Sequence, residues 1–215
     1  MIKKFLSMLI PPVFIYWTKP IRKLLPSHSS KLFDGNDAMF KKVLMNAEVY
    51  GEYGCGASTI WVAKNTTCQI LSVDTSSDWI AHVESNISAE KSNHSLHHSD
   101  LGPLLDWGFP EGYEKCDNFE DYTNWIWSGA IKPDCVLIDG RFRVCSFLTC
   151  LVNADPGTSI IFDDYSMRKI YHIVENFVKP SEMCGRQALF IVPHLNDRDR
   201  YDIDLLMERF RYVRD

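Results

Sequence analysis

Two short runs of this sequence are almost entirely apolar and end in aspartate, "CVLID" at 135–139 and "SIIFD" at 159–163. Strands that are apolar on both faces are typical of the centre of a parallel sheet, which helices cover on both sides. Strand and helix patterns alternate along most of the chain, and this alternation favours parallel pairing. The sequence therefore predicts an α/β fold, built on a doubly wound and mostly parallel sheet.

The individual elements follow from the same periodicities. Helices are predicted at 38–47, 57–65, 76–90, 122–130, 143–154, 167–178 and 202–213. Strands are predicted at 48–54, 68–74, 95–100, 133–140, 158–164 and 187–193. Each connection between successive predicted strands is long enough to hold a helix, as parallel neighbours require.

Composition narrows the class of protein. Of the 215 residues, 46% are hydrophobic and 24% are charged, which is typical of a globular domain. The formal net charge of −5 argues against a general nucleic-acid binder. The seven cysteines are an odd number without a C-x-x-C pair, so we interpret them as reduced thiols of a cytoplasmic protein.

The first 33 residues differ from the rest and are predicted to form a helical arm ahead of a single domain at 34–215. The arm carries six basic residues and no acidic one, around the apolar run "FLSMLIPPVFIYW". That run is too short to span a bilayer, which takes about 20 residues, and Pro11-Pro12 interrupts it. Two interpretations stay open: peripheral contact with the inner face of the membrane, or packing on the domain or on a second copy in a homo-oligomer.

A glycine turn follows the first predicted strand of the domain, in the stretch "EYGCGAST" at 52–59. Gly54 and Gly56 allow a tight strand-to-helix turn and close approach of a ligand to the backbone. Asp74 ends the next strand, 22 positions after Glu52, where an acidic residue is expected to hold ribose hydroxyls. A dinucleotide site would have a third glycine where Thr59 stands, and it would not place Glu52 beside a pyrophosphate. A cationic, adenosine-containing cofactor suits the turn better.

The pattern E-x-G-x-G-x-S at 52–58 resembles the first motif of class I S-adenosylmethionine-dependent methyltransferases. The segments "SVDTSSDWI", "HSDLGPLLDWGFP", "PDCVLIDGRFRVCSFLTCL" and "IIFDDYSMRKIYHIVENF" extend this likeness to a group of small bacterial methyltransferase-like proteins, over about 32–192. The resemblance implies a Rossmann-like methyltransferase fold, with S-adenosylmethionine lying across the first strand ends. The resemblance leaves the acceptor, a small molecule or a glycan, unidentified.

The resemblance also implies roles for single residues. Glu52 and the two glycines would lie along the methionine part of the cofactor, Asp74 would bind the ribose, and Asp100 would face the adenine amino group. Asp139 would sit near the sulfonium and the acceptor. With their neighbours, the predicted cofactor contacts are Glu52, Tyr53, Gly54, Cys55, Gly56, Ser58, Asp74, Thr75, Asp100 and Asp139.

Methyl transfer to a hydroxyl needs an in-line acceptor and removal of a proton. The predicted catalytic residues are Asp139, Asp163 and His172, the last in the helical pattern that follows a strand end. Asp139, Asp163 and Asp164 together offer hard oxygen ligands, so Mg²⁺ is a second prediction for this cluster. The arrangement is similar to that of metal-dependent catechol-type O-methyltransferases, except that Asp164 stands where that group has an amide.

Acceptor contacts are predicted at Arg141, Arg143 and Tyr165. Two arginines at the start of a helix oppose its dipole, which favours a role in binding an anionic acceptor. The aromatic loop at 106–113 has two interpretations, a lid over the acceptor or a structural loop.

Three classes of function therefore stay open after the sequence alone. The first is a methyltransferase. The second is a nicotinamide-dependent enzyme of Rossmann type, which the missing third glycine disfavours. The third is a non-catalytic protein of the same fold that binds the cofactor or serves in an assembly.

Overall fold

The structure, a computed structural model, describes residues 32–87 and 93–215. The predicted arm lies outside these ranges except for its last two residues, and so does the end of the third predicted helix. Leu32 and Phe33 are buried, and the ring of Phe33 packs edge-on against Phe40 at 5.1 Å between centroids. These two residues therefore contribute to the core of the described domain.

One seven-stranded sheet organises the domain, in the order β3-β2-β1-β4-β5-β7-β6. Its strands are β1 Val49–Tyr53, β2 Gln69–Asp74, β3 His94–His98, β4 Cys135–Ile138, β5 Ser159–Phe162, β6 Glu182–Cys184 and β7 Gln187–Ile191. The first five strands pair in parallel, whereas β7 runs antiparallel between β5 and β6. The predicted doubly wound, mostly parallel sheet is confirmed.

Helices cover both faces of this sheet. They are α1 Ala38–Leu44, α2 Ala57–Asn65, α3 Ser77–Asn86, α4 Phe119–Asn124, α5 Arg143–Asn153 and α6 Asp197–Phe210. Phe40, Val62 and Val83 from the first three helices share one buried cluster, and Phe147 and Ile203 from the last two belong to another. Both faces of β4 are buried, which explains why every residue of that strand is apolar.

Three predicted elements differ from the observed ones. The helix predicted at 167–178 is a pair of 3-10 segments, Tyr165–Met167 and Lys169–Asn176. The helix predicted at 122–130 begins earlier and becomes a 3-10 turn at Trp125–Trp127. The last helix begins at Asp197 rather than 202, because the Asn196 side chain accepts the backbone N–H of Asp199 at 2.9 Å and caps it.

Two further observations concern membrane-spanning helices and cysteines. Within the described ranges, no helix has the length and apolar character that crossing a bilayer requires. All seven cysteines are free thiols, and five of them are buried.

Candidate active site

The carboxyl ends of the five parallel strands meet at one edge of the sheet, where β1 lies between β2 and β4. The register places Tyr53 at the end of β1 beside Val73 of β2 and Ile138 of β4. Ligands of doubly wound sheets bind at such an edge, where the strand order reverses. Most of the predicted site residues lie at this edge, in β1, in β2, or in the loops and first helical turns that follow the parallel strands. The exception is His172, which lies in the 3-10 segment after β5.

The glycine turn between β1 and α2 packs directly on the loop that follows β4. Gly54 has a φ of +91°, which L side chains rarely adopt. A Cβ at Gly54 would lie only 2.7 Å from the Cα of Gly140. Gly54 and Gly140 therefore pack directly against each other, and their lack of side chains lets the two loops approach closely.

Glu52 is fully buried beneath this turn. Its carboxylate accepts hydrogen bonds from the hydroxyls of Ser58, of Thr59 at 2.5 Å and of Ser72 at 3.2 Å. Burial raises the pKa of Glu52 to about 7, although these hydroxyls oppose the change. Both side chains therefore shape the turn from below, and the contact of Glu52 and Ser58 with a cofactor stays a prediction.

Tyr53 is also a core residue and not a ligand contact. Its hydroxyl donates to the carbonyl of Thr123 at 2.6 Å and accepts the indole N–H of Trp127 at 2.9 Å. The residue has no exposed surface. The predicted cofactor contact at Tyr53 is therefore wrong for its side chain.

The backbone amides of the turn are engaged within the protein. The N–H of Gly54 donates to the carbonyl of Val73 at 2.8 Å, and that of Gly56 donates to the hydroxyl of Thr59 at 2.7 Å. The backbone of Cys55 hydrogen-bonds to the Asp74 carboxylate. A pyrophosphate normally binds free amides of such a turn, and these three are occupied.

Asp74 lies where the sequence places it, at the end of β2 beside the glycine turn. Its Oδ1 accepts the N–H of Ser76 at 2.8 Å, and burial raises its pKa. The residue still keeps part of its surface exposed. Next to it, a Cβ at Gly56 would meet only the indole nitrogen of Trp79, at 3.5 Å. Asp74 and Gly56 therefore border open space at the edge of the sheet.

Cys55 and Thr75, two further predicted contacts, are almost completely buried. The Cys55 carbonyl accepts the indole N–H of Trp79 at 2.5 Å. The Thr75 hydroxyl donates to the carbonyl of Gly108 at 2.8 Å and so ties the aromatic loop to the end of β2. Neither side chain presents a free polar group to a ligand, and the cofactor contacts of both residues stay predictions.

Asp100 lies on the same edge, just after β3, and is exposed. Its carboxylate pairs with the Lys115 ammonium and accepts the N–H of Gly102 at 3.1 Å. The hydrogen bond from Lys115 lowers the pKa of Asp100. The contact of Asp100 with an adenine stays a prediction.

Arg143, the first residue of α5, is a buried structural clamp. Its Nε donates to the carbonyl of Gly140 at 3.0 Å. One terminal nitrogen donates to the carbonyl of Asp163 and the carboxylate of Asp164, and the other donates to the carbonyl and carboxylate of Asp139. All five donors of the guanidinium are used within the protein, and the predicted acceptor contact of Arg143 stays a prediction.

Asp163 is fully buried at the end of β5 and is neutralised by an arginine that no sequence pattern singles out. Arg186, from the hairpin between β6 and β7, faces it with Nε 3.0 Å from Oδ1 and Nη2 2.7 Å from Oδ2. The same guanidinium also contacts Asp34 at 3.0 Å. The described contacts of the Asp163 carboxylate are thus with arginine, and its predicted catalytic role stays a prediction.

The predicted magnesium site has no support in this geometry. Among the described residues, no three His, Cys, Asp or Glu side chains are grouped so that they would hold a metal ion. Arginine side chains contact the three aspartates instead. Arg143 contacts Asp139 and Asp164, Arg186 contacts Asp163, and Arg168 contacts Asp164 at 3.2 Å. We therefore assign no metal to this site.

Asp139 is the carboxylate of this cluster that stays most open to the edge, with 31% of its side chain exposed. Its Oδ1 accepts from Nη2 of Arg143 at 3.2 Å. Burial and the nearby charge of Asp163 raise its pKa well above the ordinary range of an aspartate. Its place near the sulfonium and the acceptor stays a prediction.

Tyr165 and His172 pack on each other after β5. Tyr165 is buried and donates its hydroxyl to Glu175 at 2.7 Å, and its contact with an acceptor stays a prediction. The His172 ring stacks on Tyr165 at 4.6 Å, and its Nε2 lies 3.2 Å from the Tyr165 carbonyl oxygen. Since the described contacts of this ring are local ones, a catalytic role of His172 stays a prediction.

Arg141 is half-buried at the start of the loop that leads into α5. Its backbone N–H donates to the hydroxyl of Tyr122 at 3.0 Å. In the described part of the chain, its guanidinium forms no hydrogen bond, in contrast to that of Arg143. Arg141 is thus the predicted acceptor contact whose side chain is still available.

Comparison with known proteins gives structural matches. No protein-family model and no curated protein sequence matches the chain. A methyltransferase-like protein from Silicibacter pomeroyi DSS-3 is 31% identical, with a TM-score of 0.69 over 81% of this chain and 93% of that one. Cofactor-bound Rv0187 from MTB is 13% identical, with a TM-score of 0.58 over 90% of this chain and 97% of that one. TrmN from Thermus thermophilus is 10% identical, with a TM-score of 0.50 over 75% of this chain and 48% of that one. The likenesses to Rv0187 and TrmN concern the fold alone.

Proposed function

This chain belongs to the methyltransferase-like proteins of the class I fold, and we propose that it transfers a methyl group from S-adenosylmethionine to a small-molecule or glycan acceptor. The observation that carries the proposal is the glycine turn with Asp74 beside it. Its three amides are engaged within the protein, so the turn is built for a ligand without a pyrophosphate.

The residues at the edge fit S-adenosylmethionine. Asp74 keeps part of its surface exposed, as an acceptor of ribose hydroxyls must. A Cβ at Gly56 would make a single ordinary contact, with the Trp79 indole nitrogen at 3.5 Å, so this side of the turn is loosely covered. When bound, the cofactor supplies an electrophilic methyl group on a sulfonium. A carboxylate-rich edge suits that positive charge better than it suits the phosphates of a dinucleotide.

Asp139 is the residue that we place beside the acceptor. Arg143 binds its carbonyl and carboxylate, and its N–H donates to the carbonyl of Tyr53 in β1 at 3.0 Å, so its position is defined before any ligand binds. A positioned carboxylate can orient an acceptor hydroxyl and take its proton. The general experiment is to incubate the purified chain with S-adenosylmethionine and candidate acceptors, and to follow S-adenosylhomocysteine.

Asp74→Ala is expected to weaken S-adenosylmethionine binding by about 10- to 100-fold, since a charge-assisted hydrogen bond contributes about 1.5–3 kcal/mol. Isothermal titration calorimetry measures the change. Asp78→Ala, at an exposed aspartate in the first turn of α3, is the control for loss of a negative charge nearby. Equal affinity of Asp74→Ala and the wild type would remove Asp74 from the site. Tight binding of a nicotinamide dinucleotide by the wild type would overturn the proposed function.

Asp139→Asn is expected to lower kcat by about tenfold or more while leaving the affinity for S-adenosylmethionine unchanged, because it keeps the acceptor of the Arg143 hydrogen bond and removes the base. Steady-state kinetics with an acceptor from the screen, together with calorimetry, separate the two effects. Asp155→Asn, at an exposed aspartate before β5, is the matched control. An unchanged kcat would show that Asp139 does not act on the acceptor. Loss of wild-type activity on chelation, with recovery in Mg²⁺, would restore the metal hypothesis.

A further inference from the structure

A cleft with a volume of about 380 Å³ opens between α4 and α6, which both pack on α5. Its lining includes Phe119 and Thr123 of α4 and Cys145 of α5, all of which are buried. Concave sites of roughly 300–1,000 Å³ are typical of small-molecule binding. Among the described residues that line this cleft, none is a predicted cofactor, catalytic or acceptor residue. The cleft is therefore a place separate from the candidate active site.

The side of α6 that borders the cleft is open and partly apolar. Its four residues recur at intervals of three and four positions, which places them on one side of the helix: Tyr201, Asp204, Leu205 and Glu208. Tyr201 is 64% exposed and Leu205 is 44% exposed. Ile203, in contrast, is completely buried in the core. Other positions of α6 thus pack the core, and the apolar surface of Tyr201 and Leu205 is left for a ligand.

The charged groups of the cleft are mainly acidic. Glu120 of α4 and Glu208 of α6 both contact the guanidinium of Arg211, and Glu208 does so at 3.2 Å. Asp204 is a third, exposed carboxylate, which forms no hydrogen bond or ion pair within the described ranges of the chain. Three carboxylates therefore face one guanidinium, and the excess charge of the cleft is negative.

These groups together fit a cation that carries an apolar body. Asp204 lies one helical turn from Tyr201, so an ammonium group beside its carboxylate is within reach of the exposed aromatic ring, whose face attracts cations. An alkyl or aryl body would pack on Phe119, Leu205 and Met207, which also line the cleft. An anion would meet the excess negative charge, and a neutral ligand would gain nothing from it.

We propose that the cleft is a second ligand site of this chain, and that it binds a small organic cation with an ammonium group on an alkyl or aryl body. The cleft shares α4 with the candidate active site. The carbonyl of Thr123 accepts the Tyr53 hydroxyl at 2.6 Å, and the Tyr122 hydroxyl accepts the N–H of Arg141 at 3.0 Å. Binding of the cation does not depend on the proposed transfer of a methyl group.

The test is titration of the full chain at neutral pH with hexylamine, hexanol and hexanoate, which have equal chain lengths, followed by NMR. Hexylamine is expected to bind about tenfold more tightly than hexanol, and hexanoate more weakly than either. Asp204→Asn keeps the shape of the side chain and removes its charge. It is expected to weaken hexylamine binding by about threefold and to leave hexanol binding unchanged. Asp202→Asn, at a carboxylate of the same helix outside the cleft, is the matched control.

Leu205→Ala is expected to weaken hexylamine and hexanol binding alike, by about threefold, because both chains lose the same apolar contact. Met45→Ala, at an exposed methionine outside the cleft, is its control. Equal wild-type affinities for hexylamine and hexanol would overturn the proposal, as would Asp204→Asn behaving like Asp202→Asn. Wild-type affinities in Leu205→Ala would place the cation outside the cleft and overturn it too. Separate titration with S-adenosylmethionine tests the proposed function, and its result leaves the cleft unaffected.

Discussion

Replacement of Gly54 by valine is expected to lower the free energy of unfolding by about 2–5 kcal/mol and to abolish S-adenosylmethionine binding. A side chain at a φ of +91° costs about 1–2 kcal/mol. Its Cβ would also lie 2.7 Å from the Cα and 2.8 Å from the nitrogen of Gly140, which are backbone atoms that cannot rotate away. Such overpacking adds about 1–3 kcal/mol, and the two loops that frame the site must separate.

Gly157→Val is the matched control, because Gly157 has a φ of +97° and a Cβ placed on it would have no neighbouring atom within 4 Å. It isolates the cost of the backbone conformation from the cost of the close contact. Urea unfolding of both variants gives the difference in stability, and calorimetry gives the affinity for the cofactor. Equal losses of stability would show that the contact with Gly140 is not tight. A folded Gly54→Val that still binds S-adenosylmethionine would place the cofactor elsewhere.

The parts of the fold that could be predicted are those whose sequence pattern reflects local burial. The periodicity predicted the apolar strands β4 and β5 and the helix Ala57–Asn65 at the positions where the structure has them. The three-residue strand β6 has no such pattern, since it exists only through its pairing with β7. The segment Lys169–Asn176 has helical periodicity but adopts 3-10 geometry. Tertiary contacts of this segment, such as the stacking of the Tyr171 ring on Phe162 at 4.8 Å between centroids, compete with the local preference.

For the candidate site, too, the sequence indicated where residues lie along the strands but not which of them are buried in the fold. The sequence located Asp74, Asp139 and the glycine turn, because strand ends and turn residues are visible in the spacing. It could not show that Glu52 lies under the turn, since that depends on hydroxyls from α2 and β2 that converge only in the fold. The role of Arg186 was equally hidden, because the pair with Asp163 joins segments that are not adjacent in the chain.

The stability of the wild type relative to Glu52→Gln is expected to fall by about 3 kcal/mol as the pH rises from about 4.5 to above 7. Burial raises the pKa of Glu52 from 4.5 to about 7 in the folded state. Between these two values the folded protein holds a proton that the unfolded chain has already released, so raising the pH favours unfolding. A shift of this size corresponds to about 1.4 kcal/mol per pH unit. The stabilisation that protonated Glu52 gives is complete below pH 4.5 and lost above pH 7.

Urea unfolding at intervals between pH 4 and 8 measures this difference, and glutamine is the suitable replacement because it keeps the shape of the side chain and cannot ionise. Comparison with the variant at each pH removes the contributions of the other buried acids, such as Asp74 and Asp215, which titrate in both proteins. Glu48→Gln, at an exposed glutamate just before β1, controls for the substitution itself. If the wild type instead gained stability relative to Glu52→Gln as the pH rose, the hydroxyls of Ser58, Thr59 and Ser72 would outweigh burial. The carboxylate beneath the turn would then be ionised whenever the cofactor site is formed.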